Sequence, residues 1–335
     1  MILRAASALY GTAAAWRRRR YTRGPGRQLV LTRPVVSVGN LSVGGSGKTP
    51  TVEHLARLLL RRGERPAILS RGYGRANIQG GSKGVTVVSD GSRVLASLDA
   101  AGDEPLMLAR HLPGTAVVVG NSRYRCGRVA EESLGATVHI LDDGFQYLAL
   151  ARDVDLLLVS EADLDDRPLP AGRLRERLSA AADADAVLTT AAGDRRERLR
   201  GVLGVDDVFG LVRLFGPLRH VNGPATEVPV PGASVVAVSG IARPERFFED
   251  LAAADLDVAE RLVFADHHRF VNADVKRMVE ALDRTHSASV VTTEKDAVRL
   301  TALDLGGLPV AAAALEMTIE PADVFATWLL ARMQR

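Results

Sequence analysis

Short apolar runs rich in β-branched residues alternate along this chain with stretches whose apolar positions recur every three or four residues. Runs at 35–38, 67–70, 85–88, 116–119, 137–141, 154–159 and 186–189 predict strands. Between them the spacing predicts helices over 51–62, where Val52, Leu55, Leu58 and Leu59 share a face, and over 104–111, 123–134 and 174–181. This alternation predicts a parallel α/β sheet flanked by helices. The stretch 216–232, carrying Pro217, Pro224 and Pro229, reads as a linker. Strands at 235–238 and 289–292 and helices at 244–253, 275–282 and 322–333 then predict a second, smaller α/β unit. The expected organisation is an arm over 1–33, a core over 34–215 and a C-terminal unit over 216–335 that closes over the site.

Charge separates the arm from the rest. Its eight arginines give it +8, against +3 for the whole chain, and no acid precedes Glu53. Within it Ile2, Ala6, Leu9, Ala13 and Trp16 recur at helical spacing, followed by the run Arg17 to Arg20. No apolar stretch is long enough to cross a bilayer. An amphipathic helix lying on an anionic membrane surface, arginines on the headgroups, fits better than a transit peptide, a signal sequence or a solvated basic tail. The single cysteine, Cys126, excludes an internal disulfide and reads as an inert thiol in a reducing compartment. No nucleic-acid partner is expected.

The most specific chemistry lies between the first strand and the first core helix. Gly44, Gly45, Ser46, Gly47, Lys48, Thr49 and Pro50 form a glycine-rich turn that opens a helix. Glycines let backbone N–H groups converge on an anion, and the helix N-terminus adds partial positive charge. Lys48 would reach the outer phosphates of a nucleoside triphosphate and the Thr49 hydroxyl would ligate Mg2+. The strict G-x4-G-K-[ST] pattern needs glycine where Ser42 stands, so a plain strand-to-helix turn is the alternative.

Other candidates gain weight from that neighbour. The strand 137–141 runs into Asp142-Asp143-Gly144, where a carboxylate could hold a metal; alternatively this is an ordinary turn. Asp142 is the better metal candidate, with Asp143 positioning a base or acting from behind. Asp103 is either a simple helix cap or a base for an attacking hydroxyl. Asp266-His267-His268 is a polar loop or holds one histidine paired with an acid; adjacent histidines make a poor two-ligand zinc site. Three arginine-bearing loops (Arg71 and Tyr73; Asn121 and Arg123; Arg173) argue for a substrate with its own phosphate. Thr293-Glu294-Lys295-Asp296 lacks the N-K-x-D spacing of a guanine reader, which weakens a GTPase reading.

Taken in order, V-S-V-G-N-L-S-V-G-G-S-G-K-T-P, S-R-G-Y-G-R, G-D-E-P, L-D-D-G-F-Q, L-P-A-G-R-L-R-E, F-A-D-H-H and T-T-E-K-D span residues 35 to 296. Together they resemble the tetraacyldisaccharide 4'-kinase family, whose phosphate loop also lacks the first glycine. The resemblance implies a P-loop NTPase-like sheet, a second α/β domain and an N-terminal amphipathic helix. It implies transfer of the ATP γ-phosphate, with Mg2+, to the 4'-hydroxyl of a tetraacyldisaccharide 1-phosphate, the lipid A precursor. It also implies a peripheral, monotopic protein on the cytoplasmic face of the bacterial inner membrane; a monomer is expected. Carried over, Asp103 is the general base and His267 its partner, although His268 also stands in the motif. Lys48 and Asp143 join them as catalytic groups, Thr49 and Asp142 face the metal, and Arg71, Tyr73, Asn121, Arg123 and Arg173 face the substrate. The competing readings are a membrane-associated P-loop GTPase or metallochaperone-type switch, or a nucleotide-holding module without turnover.

Overall fold

A computed structural model describes residues 2–22, 27–45, 47–73, 75, 84–222 and 228–334. The first six strands are β1 (Val35–Asn40), β2 (Pro66–Ser70), β3 (Val85–Asp90), β4 (Ala116–Gly120), β5 (Val138–Asp142) and β6 (Val154–Leu158). The others are β7 (Ala186–Thr189), β8 (Val208–Asn222), β9 (Ser234–Ser239), β10 (Asp257–Val263), β11 (Ser289–Thr293) and β12 (Val310–Glu320). Helices α1 (Ile2–Thr22), α2 (Lys48–Arg61), α3 (Leu98–Ala101), α4 (Asp103–His111), α5 (Arg123–Leu134) and α6 (Glu161–Leu164) belong to the N-terminal half. They are followed by α7 (Asp194–Leu203), α8 (Pro244–Ala253), α9 (Asn272–Thr285), α10 (Glu294–Leu300) and α11 (Ala322–Met333).

All described strands join one sheet in the order β10-β9-β11-β12-β8-β7-β6-β1-β5-β2-β4-β3. Only the β8–β12 and β3–β4 pairings are antiparallel. Strands β1, β2, β4, β5 and β6 are buried along their whole length. Sandwiched between helical layers, they have no solvent face to encode, so they read as near-continuous apolar runs, interrupted only by buried polar residues such as Ser37, His139 and Asp155. In register, Val38 pairs with Asp142 and Leu69 with Leu141. The C-terminal ends of β1, β2 and β5 therefore bring Asn40, Ser70 and Asp142 to one sheet edge, where ligands bind in open α/β folds.

The stretch 216–232 corrects the expected linker. β8 continues through it to Asn222 as one arm of a long ribbon with β12, and residues 223–227 lie outside the described residues. Leu218 pairs with Ala313 and Phe215 with Leu315, so Gly216 and Pro217 together face Ala314 in a bulge. A bulge is where proline is tolerated inside a strand, and a Cβ on Gly216 would lie 2.9 Å from that of Ala314. The ribbon also explains how distant segments meet. β7 joins β8 at its start, whereas β11 joins β12 opposite the far end of β8. Because β12 reverses direction, β9 and β11 run back from that far end, and their C-terminal ends face those of β1, β2 and β5.

The predicted helix over 174–181 is a second correction. Leu174 is bridged to Ser42 and to Pro168, and only Leu178–Asp183 coils, as a 3₁₀ turn. Val43 N–H donates to Arg173 O at 2.9 Å and Arg175 N–H to Leu41 O at 2.6 Å. This extended segment is laced to the start of the phosphate loop, which a helix would forbid.

Helix α1 docks through Ser7, Gly11 and Arg18, its buried residues. The Ser7 hydroxyl donates to Pro168 O at 2.6 Å, and Arg18 holds Glu176 through two hydrogen bonds of 2.7 and 2.8 Å. Arg18 also stacks over Phe145 at 4.1 Å. It is thus buried in an ion pair, a correction to the expectation that the whole arginine run faces headgroups. Ile2, Leu9 and Trp16, seven residues apart, remain 86%, 73% and 64% exposed, with Leu3 and Tyr10 beside them. No described helix is long and apolar enough to cross a membrane.

Candidate active site

The glycine-rich turn lies where β1 hands over to α2. Gly47, the N-cap, has φ +87°, and a Cβ there would meet Met317 Cε of β12 at 2.6 Å. Only glycine combines that backbone with so close a neighbour. Ser46 lies outside the described residues; Gly44, Gly45, Lys48, Thr49 and Pro50 occupy the turn and first helical residues as expected. Lys48 Nζ donates to Asn40 Oδ1 at 2.9 Å and lies 3.6 Å from Asp143 Oδ1. Asn40 Nδ2 donates to Ser42 O at 2.7 Å, so this amide fixes both the lysine and the loop.

Asp143, at φ +54°, turns away from Asp142 and accepts a bidentate pair from Arg175 at 2.7 and 2.8 Å. Burial opposes ionisation, but the Arg175 hydrogen bonds and the Lys48 charge hold this carboxyl below the usual carboxylate range. Asp142 differs. Burial, then the charges of Glu104 and Asp143, push its carboxyl up to about 7, only partly offset by Lys48 and the Ser70 hydroxyl at 3.2 Å. Two adjacent acids thus carry opposite electrostatic assignments, the pattern expected of groups with separate tasks.

Helix α4 opens on Asp103. Gly102 before it has φ +86°, and a Cβ there would strike Tyr73 O at 2.6 Å, so the loops after β2 and before α4 touch backbone to backbone. His267 Nδ1 lies 2.8 Å from Asp103 Oδ2. Burial raises the Asp103 pKa, but the His267 hydrogen bond and the charges of Lys295 and Arg299 leave it lowered, while that bond to Asp103 raises His267. The structure separates the two histidines. His267 adopts φ +57° and reaches Asp103, whereas His268 stacks on Phe264 and meets Asp274 Oδ2 at 2.9 Å.

Segment 293–299 acquires a clear structural role. Buried Arg299 donates to Gly240 O at 3.0 Å, His268 O at 3.2 Å and Asp296 Oδ1 at 2.6 Å, and its Nε lies 3.7 Å from Asp103 Oδ2. Lys295 pairs with Glu104. Asp296 accepts from Gly240 N–H at 3.0 Å and the Thr293 hydroxyl at 2.6 Å. Lys295 ties the C-terminal half to α4, and Asp296 is spent on Gly240, Thr293 and Arg299, which leaves neither to read a guanine base.

Among the expected substrate contacts, Arg71, Tyr73 and Asn121 are exposed at the site edge, the Tyr73 ring 5.1 Å from that of His267. Arg173 is half-exposed and paired with Asp166 at 2.8 Å. Arg123 is turned inward: buried, it donates to Gly120 O at 3.3 Å and stacks on Tyr147 at 4.7 Å. Sequence reasoning missed Asn40, Arg175, Lys295 and Arg299 as site groups, although all four lie in or beside the quoted motifs.

Comparison with known proteins identifies the family. The model of the LpxK family, tetraacyldisaccharide-1-P 4'-kinase, matches residues 1–334. A tetraacyldisaccharide 4'-kinase of Geobacter sulfurreducens is 39% identical over 328 residues, covering 96% of this chain and 91% of its own. One of Geobacter metallireducens is 41% identical over 327 residues, covering 95% and 94%. The crystal structure of LpxK from Aquifex aeolicus in complex with ATP superposes with a TM-score of 0.77 at 34% identity, covering 98% of this chain and 97% of that one.

Proposed function

Because the chain belongs to the tetraacyldisaccharide 4'-kinase family, we propose that the site just described transfers the γ-phosphate of ATP to the 4'-hydroxyl of a tetraacyldisaccharide 1-phosphate. The product is the bisphosphorylated lipid A precursor. The observation that carries this reading is the meeting, at one sheet edge, of a lysine-bearing phosphate loop with an acid–histidine pair supplied from both halves of the chain.

Phosphoryl transfer asks a protein for alignment and charge neutralisation more than for covalent chemistry. Loop amides and Lys48 hold the outer phosphates, and Asn40 and Asp143 aim the lysine. Asp103 accepts the hydrogen bond of the sugar hydroxyl and orients it in line with the γ-phosphoryl. Its lowered pKa keeps it ionised as an acceptor across neutral pH, at the cost of weak basicity, which suits a loose transition state. His267 fixes the carboxylate, and Arg299 and Lys295 hold both from behind.

The donor set also fits Mg2+. Among the described residues no three His, Cys, Asp or Glu side chains are arranged to hold an ion alone, so phosphate oxygens and water would have to complete the shell. Thr49 and Asp142 would hold it, and it would neutralise charge on the β- and γ-phosphates. The acids around Asp142 support this: burial, then the charges of Glu104 and Asp143, raise its pKa, and a dication would offset the repulsive part.

The exposed stripe of α1, with Arg17, Arg19 and Arg20 beside it, supports peripheral attachment to an anionic membrane. ATP as the phosphoryl donor supports the cytoplasmic face for that attachment, and one copy of the chain supplies every group named, in keeping with a monomer. The test is incubation with γ-labelled ATP, Mg2+ and purified tetraacyldisaccharide 1-phosphate. Label entering the lipid supports the reading; release of label as free phosphate alone would count against it.

A further inference from the structure

One charged group at the site is still without a task. Arg243, the residue before α8, follows β9 and comes from the C-terminal half, yet it reaches the phosphate loop of the N-terminal half. A Cβ on Gly44 would lie 3.7 Å from Arg243 Nη2 and 3.8 Å from its Nε. Those two nitrogens form the edge of a guanidinium that grips paired oxygens. No described carboxylate forms an ion pair with it. Desolvation and the charges of Arg246 and Arg173 hold its pKa down, with Asp163 opposing, and Arg173 is itself committed to Asp166. The fold therefore holds a half-buried cation, with no described carboxylate in an ion pair with it, beside Gly44 of an anion-binding turn.

We propose that Arg243 is a further catalytic residue: an arginine finger supplied in cis, whose Nε–Nη2 edge contacts the oxygens of the γ-phosphoryl group as it leaves ADP. The inference rests on the reading of the turn as an ATP site. Lys48 approaches from the helix side of the loop, and Arg243 would approach from the Gly44 side, so that charge is met from two directions. Arginines so placed stabilise charge that develops on the transferring group, with little effect on ground-state nucleotide binding. The placement also ties catalysis to the C-terminal half, because the loop after β9 must sit on the N-terminal half for the contact to exist.

The test compares the full-length enzyme with R243A and R243K, in kinetics and in binding of ADP with and without aluminium fluoride, a mimic of the transferring phosphoryl. The inference expects kcat to fall about 100-fold or more in R243A, with KM for ATP and for the lipid nearly unchanged. ADP alone should bind both proteins equally, while the extra affinity conferred by aluminium fluoride should be lost in the variant. R243K, which keeps charge but lacks the fork, should recover little, and it serves as the reporter if R243A does not fold. Unchanged kcat would overturn the inference. So would a raised KM for the lipid with kcat intact, which would seat the arginine on the substrate's own phosphate. Failure of the wild-type enzyme to bind ADP would instead count against the nucleotide site itself.

Discussion

Replacing Asp142 by Asn should stabilise this protein while disabling it. In the native state the carboxyl is buried beside Glu104 and Asp143, and its pKa stands at about 7 against an ordinary 3.8. Between those values the native protein binds one proton that the unfolded chain has already lost. Stability therefore falls as pH rises through this window, by about 1.4 kcal/mol per unit. Over roughly three units the loss approaches about 4 kcal/mol, and none follows above pH 7 from this group. Asparagine is uncharged and keeps an oxygen for the Ser70 hydroxyl, now 3.2 Å from the carboxylate. Wild type and D142N should therefore match near pH 4 and diverge steadily, D142N being more stable by up to about 4 kcal/mol at pH 8. Urea unfolding at several pH values, without nucleotide or Mg2+, measures the difference directly. Turnover should fall by at least about 100-fold in the same variant, because the metal-facing carboxylate is gone. A variant less stable than wild type at pH 8, or a difference that does not change with pH, would refute the reasoning.

Two further outcomes follow from the same geometry. H267A should lose about 100-fold in kcat with ATP affinity retained. The acid limb of its kcat/KM profile should move to higher pH, because Asp103 loses the partner that lowers its pKa; an unmoved limb would show that the pair is only structural. Replacing Leu9 and Trp16 together by Ser should weaken sedimentation with anionic vesicles while leaving the melting temperature near that of wild type, since both side chains face solvent; vesicle binding equal to wild type would show that this stripe is not the lipid-facing one.

Much of the N-terminal half was legible because buried parallel strands announce themselves. β1, β2, β4, β5 and β6 are mostly apolar and buried throughout, and the motifs lie at their C-terminal ends. β12 was not legible. Its opening Val-Ala-Ala-Ala-Ala-Leu favours a helix by propensity, and only pairing with β8 and β11 makes it a strand. β10, at the sheet edge, is largely exposed and carries Asp257, Glu260 and Arg261, so it lacks the apolar run that marks its neighbours. The Gly216-Pro217 pair signalled a break that is a bulge inside a longer strand.

The site divides in the same way. The residue types and their loops were readable, since Lys48, Thr49, Asp103, Asp142 and Asp143 sit where local chain geometry alone puts chemistry. Partner choice was not. Arg173 and Arg175 stand two residues apart in one motif, yet one turns to Asp166 and the other to Asp143. His267 and His268 are adjacent, and the positive φ of the first sends them to different acids. Lys295 and Arg299 act on Asp103 and Glu104 across about two hundred residues of sequence, a distance closed by the reversal of the β8–β12 ribbon.

The central claim is that Lys48 and its loop present a γ-phosphoryl group to a sugar hydroxyl oriented by Asp103. Single-turnover transfer of label from γ-labelled ATP to tetraacyldisaccharide 1-phosphate by D103A, run beside equilibrium ATP binding to the same protein, tests it most directly. The account predicts ATP affinity within about threefold of wild type and label transfer slowed about 100-fold or more. Transfer at the wild-type rate by D103A would contradict it.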